Sequence, residues 1–236
     1  MKHLLHCVFR HTADEPPEGC GGEVFVVAGH GLAAAASRMQ DGDAVPDVSR
    51  LLAYQKVIEA FHASRAVIPM RYGCFLESES AIVRLLEDHR EEYETLLCQL
   101  EGMAEMGIRV LLKTRQWPPP WEEEVIPSAP GAAYFAMLRK RHASSDGLTP
   151  DEGRLAEQIS SSLCGFYDRL RTEASTAAAG RLLSLYFLTP KTSVGNFRDR
   201  VRQMHFPEGT KLLLSGPWPP YNFVSSPAPP RWTRSY

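Results

Sequence analysis

The order of strand and helix signals predicts an α+β protein built from two domains. Helix, strand, helix and strand follow one another at residues 49–113, and the same order returns at 150–215. Between these series, WPPPWEEEVIPSAPG at 117–131 combines prolines that prevent regular structure with three adjacent glutamates that favour solvent. Strands joined by helices favour crossovers that leave the helices layered on one face of a small sheet.

The first half is expected to form a ferredoxin-like sandwich, and the second half a helix-rich α/β unit with a small sheet. A chain of 236 residues is long enough for two modest cores. The predicted boundaries are residues 1–115 for the N-terminal domain, 116–130 for a proline-rich linker and 131–236 for the C-terminal domain with its proline- and aromatic-rich tail.

The chain opens with strand signals. Residues 2–9 (KHLLHCVF) and 23–28 (EVFVVA) are rich in β-branched and aromatic types, and they flank a turn-rich loop. Residues 32–39 (LAAAASRM) are helical by propensity alone. Their short run between Gly31 and the next loop nevertheless favours a third strand.

Two helices are predicted in the first half. Apolar residues recur at helical spacing over 49–63, behind Asp47 or Ser49 as the N-cap. Over 82–103 they alternate steps of four and three, which fits either a coiled coil or, more commonly, a helix packed on a sheet.

Each of these helices is followed by a strand. Residues 66–73 (AVIPMRYG) predict a strand in which Pro69 indicates a bulge or an edge position. Residues 108–113 (IRVLLK) predict the next strand. Because the segment between them is long enough for a parallel crossover, residues 66–71 and 107–113 are expected in the same sheet.

The second half begins with a capping box. Residues 149–152 (TPDE) place proline at the first helical position, so a helix is predicted to begin at Pro150. Its apolar stripe continues at helical spacing to Leu170. The remaining predicted elements are a strand at 181–189, a short helix at 193–204 and a last strand at 210–216.

Composition excludes several classes of partner. The net charge is −2 with acids and bases interspersed, so neither a basic face for nucleic acid nor a polybasic end for a membrane is predicted. The five cysteines are scattered without a CxxC pair, which favours reduced thiols. The apolar start is too short for a signal peptide, and no stretch is long enough to span a membrane. A cytoplasmic protein is expected.

Catalytic and metal-binding signals are weak. The sequence contains no GxSxG elbow, P-loop or HExxH motif, and GCGG at 19–22 precedes a strand, which favours a turn. His3 and His6 lie three apart in a predicted strand, so their side chains point to opposite faces and do not share a metal. No catalytic residue, cofactor or metal site is predicted.

Two residues leave a ligand-binding alternative open. Arg71 stands at a strand end, where arginine either faces a ligand-binding crevice or forms a buried ion pair with a helix carboxylate. His89 lies on the apolar seam of its helix. It is the candidate axial ligand if the chain is a haem- or ligand-binding enzyme on a ferredoxin-like scaffold, although such a histidine is more often a hydrogen-bonded core residue.

Three segments in order along the chain carry a family resemblance. LLAYQKVIEAF at 51–61 precedes VIPMRYGCF at 67–75, EMGIRVLLK occupies 105–113, and GPWPPYNF occupies 216–223 behind a strand. Together they resemble the GvpL/GvpF family of gas vesicle accessory proteins, including its apolar-Pro-Met-Arg-aromatic-Gly block. The resemblance spans nearly the whole chain, and the loop DEPPEGCGG and the linker depart from it. The motif residues are Pro69, Met70, Arg71, Gly73, Gly216, Pro217, Trp218, Pro219, Pro220, Tyr221 and Phe223.

The resemblance implies a non-enzymatic assembly factor associated with gas vesicles in the cytoplasm. Its expected partners are the small, very apolar major shell protein and other gas vesicle accessory proteins, with no nucleic acid, membrane or cofactor. A subunit that will line a gas-facing wall exposes apolar surface before assembly and aggregates without cover. Transient shielding or nucleation of the shell protein is therefore the expected role.

Shell-protein binding is expected to centre on the first domain. The strand EVFVVAG carries a single charge, and LAAAAS offers small side chains that let another backbone approach closely. If either segment lies at a sheet edge, the shell protein can add a strand to it; the alternative is that both are buried. The candidate residues are Glu23, Val24, Phe25, Val26, Val27, Leu32, Ala33 and Ala34.

The stretch SGPWPPYNFV at 215–224 is either an exposed polyproline ligand or a latch. Prolines fix φ and lack backbone donors, so the segment is expected to be extended. The aromatic side chains carry apolar area that is costly to leave in water. We therefore expect a latch in which Trp218 packs against the protein's own core.

Overall fold

The computed structural model describes residues 2–12, 17, 24–39, 47–112, 147–177, 180–206 and 210–224. They divide into two compact units. The first combines the described residues of Met1–Glu105, Pro190–Thr192 and Pro217–Tyr236, and the second those of Met106–Thr189 and Ser193–Gly216. The tail thus belongs to the first unit, whereas the sequence placed it in the second domain. The predicted linker 116–130 lies outside the described residues.

The first unit contains a five-stranded sheet. Its strands are β1 (Lys2–Arg10), β2 (Val24–Gly29), β3 (Leu32–Met39), β4 (Ile68–Pro69) and β5 (Phe75–Leu76). The order is β2-β3-β1-β4, with β5 also pairing with β1, and these pairs are antiparallel. The predicted strand at 32–39 is confirmed, because pairing on both sides overrides the helical propensity of its alanines.

A two-residue turn joins β2 to β3. His30 and Gly31 both have positive φ, at 56° and 80°, which is the type I′ conformation that matches the twist of hairpin strands. Gly29 and Leu32 are the pair that closes this turn. Gly29 also permits a close approach, since a Cβ there would lie 3.2 Å from a methyl group of Val83.

Helices cover both faces of this sheet. Helix α1 (Val48–Ser64) packs on Ala33 and Ala35 of β3, and the intervening Ala34 and Ala36 are equally buried on the other face. There α2 (Glu79–Asp88) contacts β2 and β3, and α3 (Arg90–Gln99) contacts β1 and β4. The expected one-faced ferredoxin-like sandwich is therefore wrong for the first unit.

The single helix predicted at 82–103 is two helices. His89 departs from helical geometry between α2 and α3, with φ −110° and ψ 16°. The apolar seam meets the sheet, with Ile82, Leu86 and Tyr93 buried, so the coiled-coil alternative is not used. Strand β6 (Met103–Leu112) follows.

The second unit contains a four-stranded sheet with the order β7-β8-β6-β9. Its further elements are α4 (Pro150–Ser162), β7 (Arg169–Ala177), β8 (Gly180–Pro190), α5 (Val194–Arg202) and β9 (Lys211–Trp218). The first two residues of a 3₁₀ turn (Lys191–Ser193) and the last two of β9 fall in the first unit. The described elements run β-α-β-β-α-β, which is the ferredoxin-like order. That arrangement therefore lies in the second unit, and its first strand, β6, comes from the predicted N-terminal domain. The expectation that residues 66–71 and 107–113 share a sheet is also wrong, because β4 and β6 belong to different sheets.

The core of the second unit follows alternation along its strands. Every second residue of β6 and β8 faces α4 and α5 in one apolar cluster, which includes Met106, Ile108, Val110, Leu183, Leu185 and Phe187. The capping box at Thr149 is confirmed. The helix ends at Ser162, however, and the continuation predicted to Leu170 is wrong, because Gly165 takes φ 87° and β7 begins at Arg169.

Candidate functional site

Strand β2 forms one edge of the first sheet. Among the described strands it pairs only with β3. The two-residue turn makes Gly29 and Leu32 a hydrogen-bonded pair, and bonded and non-bonded pairs then alternate along the ladder. The N–H and C=O groups of Val24, Val26 and Ala28 therefore point away from β3, toward the open edge.

The side chains of β2 give this edge an apolar character. Val24 and Val26 are half-buried against the α1 cluster, and Ala28 is exposed. Phe25 makes an edge-to-face contact with His3, with 5.6 Å between ring centroids, and the Arg38 guanidinium lies 5.2 Å from its ring. No residue of Val24–Gly29 is charged.

The other half of the predicted partner site is enclosed. Leu32, Ala33 and Ala34 are 0% exposed, and β3 is paired with both β1 and β2. The small alanine side chains serve close packing between two helical layers and do not form an edge for another chain. Glu23 lies outside the described residues. Only β2 therefore remains of the two segments proposed from the sequence.

The other edges in the described sheets are less suited to strand addition. Strand β7 carries Arg169, Arg171 and Glu173, and charged side chains blunt an edge. Strand β9 contains Pro217, which lacks a donor, and β4 is only two residues long. By contrast, β2 offers six consecutive uncharged residues.

The Pro-Met-Arg-Tyr-Gly block forms a tight turn beside β1. Pro69 and Met70 are buried, and the Cys74 N–H donates to the Arg71 carbonyl at 3.3 Å. Gly73 takes φ 97°, a conformation that favours glycine at this position of a turn. Arg71 is exposed and forms no ion pair with a described residue, so the predicted buried ion pair is wrong.

The Tyr54 hydroxyl of α1 ties this turn to β1. It lies 2.9 Å from both the Leu5 and the Met70 carbonyl oxygens, and its hydrogen is shared between these two acceptors. His6 stacks on the Tyr54 ring at 4.7 Å, and its Nε2 is 3.0 Å from Ser37 Oγ. Burial lowers the pKa of His6 to about 4, so the imidazole is neutral at pH 7.

His6 and His3 are separated as predicted. His6 occupies the irregularity in the β1–β3 register and faces α1, whereas His3 contacts Phe25. Within the described ranges, no three His, Cys, Asp or Glu side chains are grouped so as to hold a metal ion. His89 lies at the junction of α2 and α3, where its ring centroid is 5.4 Å from that of the buried Tyr93 and its Nδ1 is 3.2 Å from Glu92 Oε2. None of the helices described is long and apolar enough to cross a membrane.

The proline- and aromatic-rich tail packs on the first unit. Pro219 and Pro220 are buried, Phe223 is 8% exposed, and Tyr221 packs against the α1 cluster. Trp218 is 37% exposed, so the prediction that it supplies the core contact is wrong; Tyr221 and Phe223 supply it.

A buried carboxylate holds this tail. Glu105 is 5% exposed. Its two oxygens accept hydrogen bonds from the Asn222 backbone N–H at 2.8 Å and from Asn222 Nδ2 at 2.7 Å. This contact could not be predicted from the sequence, because an isolated glutamate in an apolar strand does not reveal a partner 117 residues away.

Comparison with known proteins identifies the family. The family described as "Gas vesicle synthesis protein GvpL/GvpF" matches residues 3–225. The chain belongs to the GvpL/GvpF family. It is 25% identical to gas vesicle protein L of Streptomyces sp. (strain CB03234), over 80% of this chain and 73% of that protein. It is 23% identical to gas vesicle protein F of the same organism, over 95% of this chain and 100% of that protein.

Solved GvpF structures share the fold of this family member. The GvpF crystal structure from Anabaena sp. PCC7120 matches with a TM-score of 0.66 at 19% identity, covering 94% of this chain and 95% of that one. GvpF from Microcystis aeruginosa matches with a TM-score of 0.67 at 15% identity, covering 94% and 98%. The mixed α+β architecture is thus that of GvpF, and the family is one of gas vesicle formation.

Proposed function

We propose that this chain is a non-enzymatic assembly factor that binds the apolar shell protein of gas vesicles and shields it or nucleates its assembly. Membership of a gas vesicle synthesis family supports a role in gas vesicle assembly. The open, uncharged edge of β2 is the observation that carries the mechanism. The proposed setting is the cytoplasm at the forming vesicle, with other accessory proteins as further partners.

Strand addition at β2 suits an apolar client. The outward N–H and C=O groups of Val24, Val26 and Ala28 supply main-chain hydrogen bonds that do not depend on the client's sequence. The half-buried valines supply apolar contact beside them. A shell subunit bound in this way has both its backbone and its apolar face covered until it enters the wall.

The test substitutes Val26, whose backbone N–H and C=O face the open edge, in the full-length chain. Val26→Pro removes an N–H from the open edge while leaving the ladder bonds to β3 in place, and it should abolish capture of the purified shell protein. Val26→Thr is the matched control, because it keeps the N–H and the β-branched shape and should retain capture. Val27→Pro should instead disrupt the β2–β3 ladder and lower the melting temperature.

The full-length chain is needed because the first unit includes the tail. A fragment ending at residue 115 would leave Glu105 without Asn222. Capture that survives in Val26→Pro, with a native circular dichroism spectrum and an unchanged melting temperature, would exclude the β2 edge as the binding site. Weak dependence of capture on salt is expected, because the contact is apolar.

A further inference from the structure

The tail and the surface beneath it form a peptide and its binding site within one chain. We call residues 217–224 the clasp, and the surface around Glu105, Tyr54 and Cys7 the seat. Tyr221 packs against the apolar cluster that contains Cys7 and Tyr54, and burial raises the pKa of its phenol. The clasp also buries Pro219, Pro220 and Phe223.

Asn222 makes a polar contact between clasp and seat. Asn222 donates twice, once from its backbone and once from its side chain, to the two oxygens of the Glu105 carboxylate. Bonds to a buried charged acceptor are stronger than neutral ones and are directional. The seat therefore selects an asparagine between two aromatic residues rather than any apolar segment.

The clasp holds its shape with its own bonds. The Tyr221 N–H donates to the Pro219 carbonyl at 2.8 Å, and the Phe223 N–H donates to the Pro220 carbonyl at 3.1 Å. Prolines fix φ in the free segment as well, so little conformational entropy is lost when the clasp docks. It behaves as a preorganised peptide.

A glycine in β9 precedes the clasp. The boundary between the two units falls between Gly216 and Pro217, and Gly216 takes φ 102°. Glycine changes φ and ψ at this point without a Cβ clash. Pro217 and Trp218 are also the last two residues of β9, so release of the whole clasp shortens that strand by two residues.

We infer that the seat is a peptide-binding site that accepts the clasp of a second copy of this chain. A second copy presents the same proline, aromatic and asparagine groups, so exchange recreates each contact with Glu105 and the aromatic cluster. The tethered clasp competes at an effective concentration on the order of millimolar. Exchange is therefore favoured where copies are crowded or where the internal clasp is weakened.

The first experiment measures the seat with a peptide. A fluorescent peptide of residues 216–224 is titrated by anisotropy into full-length wild type and full-length Asn222→Ala. The peptide should bind Asn222→Ala at least tenfold more tightly than wild type, because the internal competitor is weakened. The same peptide with alanine at its asparagine should bind about tenfold more weakly. Failure to bind Asn222→Ala, or equal binding of the two peptides, would overturn the proposal.

The second experiment tests exchange between full-length chains. Asn222→Ala keeps an intact seat. Glu105→Gln keeps an intact clasp but replaces the carboxylate that accepts both Asn222 bonds with an amide. Sedimentation velocity with one variant labelled should show a 1:1 complex in the mixture and none in either variant alone. A mixture that behaves as the sum of its components refutes exchange. If Asn222→Ala does not fold by circular dichroism, Phe223→Leu weakens the clasp more mildly and replaces it in both experiments.

Discussion

Acid should destabilise the first unit through two buried histidines. Burial lowers the pKa of His6 from 6.5 to about 4. Burial and then the neighbouring Lys191 charge lower the pKa of His62 over the same range. His62 Nε2 lies 2.9 Å from the Met103 carbonyl oxygen, so the neutral ring donates there. Both side chains must stay neutral in the folded protein.

The sign and size of the effect follow from proton linkage. Between pH 6.5 and about 4 the unfolded chain binds protons that folded His6 and His62 do not, so stability falls as pH falls through this window. Going from pH 7.5 to 5.5 costs about 1.3 kcal/mol per histidine, or about 2.6 kcal/mol for the pair. The contribution is fully present above pH 6.5.

Urea unfolding at several pH values measures this slope. His62→Gln keeps a side-chain donor for the Met103 carbonyl but does not titrate, so it should remove about half of the loss between pH 7.5 and 5.5. At pH 7.5 the variant should lie within about 1 kcal/mol of wild type. If His62→Gln loses as much stability on acidification as wild type does, the argument that burial holds this imidazole neutral is refuted.

Four further substitutions test the packing. Phe223→Ala should cost ~3 kcal/mol because the ring is 8% exposed, whereas Leu213→Ala at 58% exposed should cost under ~1 kcal/mol in the same urea titration. Gly73→Ala should lower stability by ~1 kcal/mol through its φ of 97° alone, since no atom lies within 4 Å of the added Cβ. Glu152→Ala should cost ~3 kcal/mol, measured by thermal melting, because it leaves the half-buried Arg181 without its two 2.8–2.9 Å carboxylate bonds.

Local signals in the sequence predicted individual helices and strands better than they predicted which strands pair with one another. The capping box at Thr149 fixed a helix start because its groups are within four residues of one another. The strand at 32–39 has helical propensity, and only its short length between two turns indicated a strand. The helix predicted through Leu170 failed because Gly165 ends the periodic pattern with a positive φ that apolar spacing does not show.

Sheet membership was the weakest prediction because it depends on contacts distant in sequence. A helix between two strands allows parallel pairing but does not require it, and β4 instead pairs antiparallel with β1 across about 60 residues. The ferredoxin-like order was assigned to the wrong half for the same reason. The polar contact between Glu105 and Asn222 also joins distant positions, which explains why the tail was assigned to the second domain.

The apolar character of the β2 edge could be predicted from the sequence, but the direction of its backbone groups could not. Apolar, uncharged character singled out EVFVVAG, but the sequence did not show which of its backbone groups are free. That information comes from the His30-Gly31 turn, which sets the alternation and places Val24, Val26 and Ala28 outward. A proline at Phe25 or Val27 would break the internal ladder and confuse loss of binding with loss of the fold.

The β4 and β2 edges of the first sheet differ, and the difference favours docking at β2. Near the β4 turn, the clasp packs Tyr221 against the core, and its prolines add no donors that another strand could use. At β2 the residues Val24–Gly29 include no charge or proline, and no described strand pairs with the outward groups of Val24, Val26 and Ala28. An uncharged open edge is a liability for aggregation unless a partner uses it. Under the proposed function an apolar client occupies this edge, and the Val26→Pro and Val26→Thr pair distinguishes that use from a merely tolerated edge.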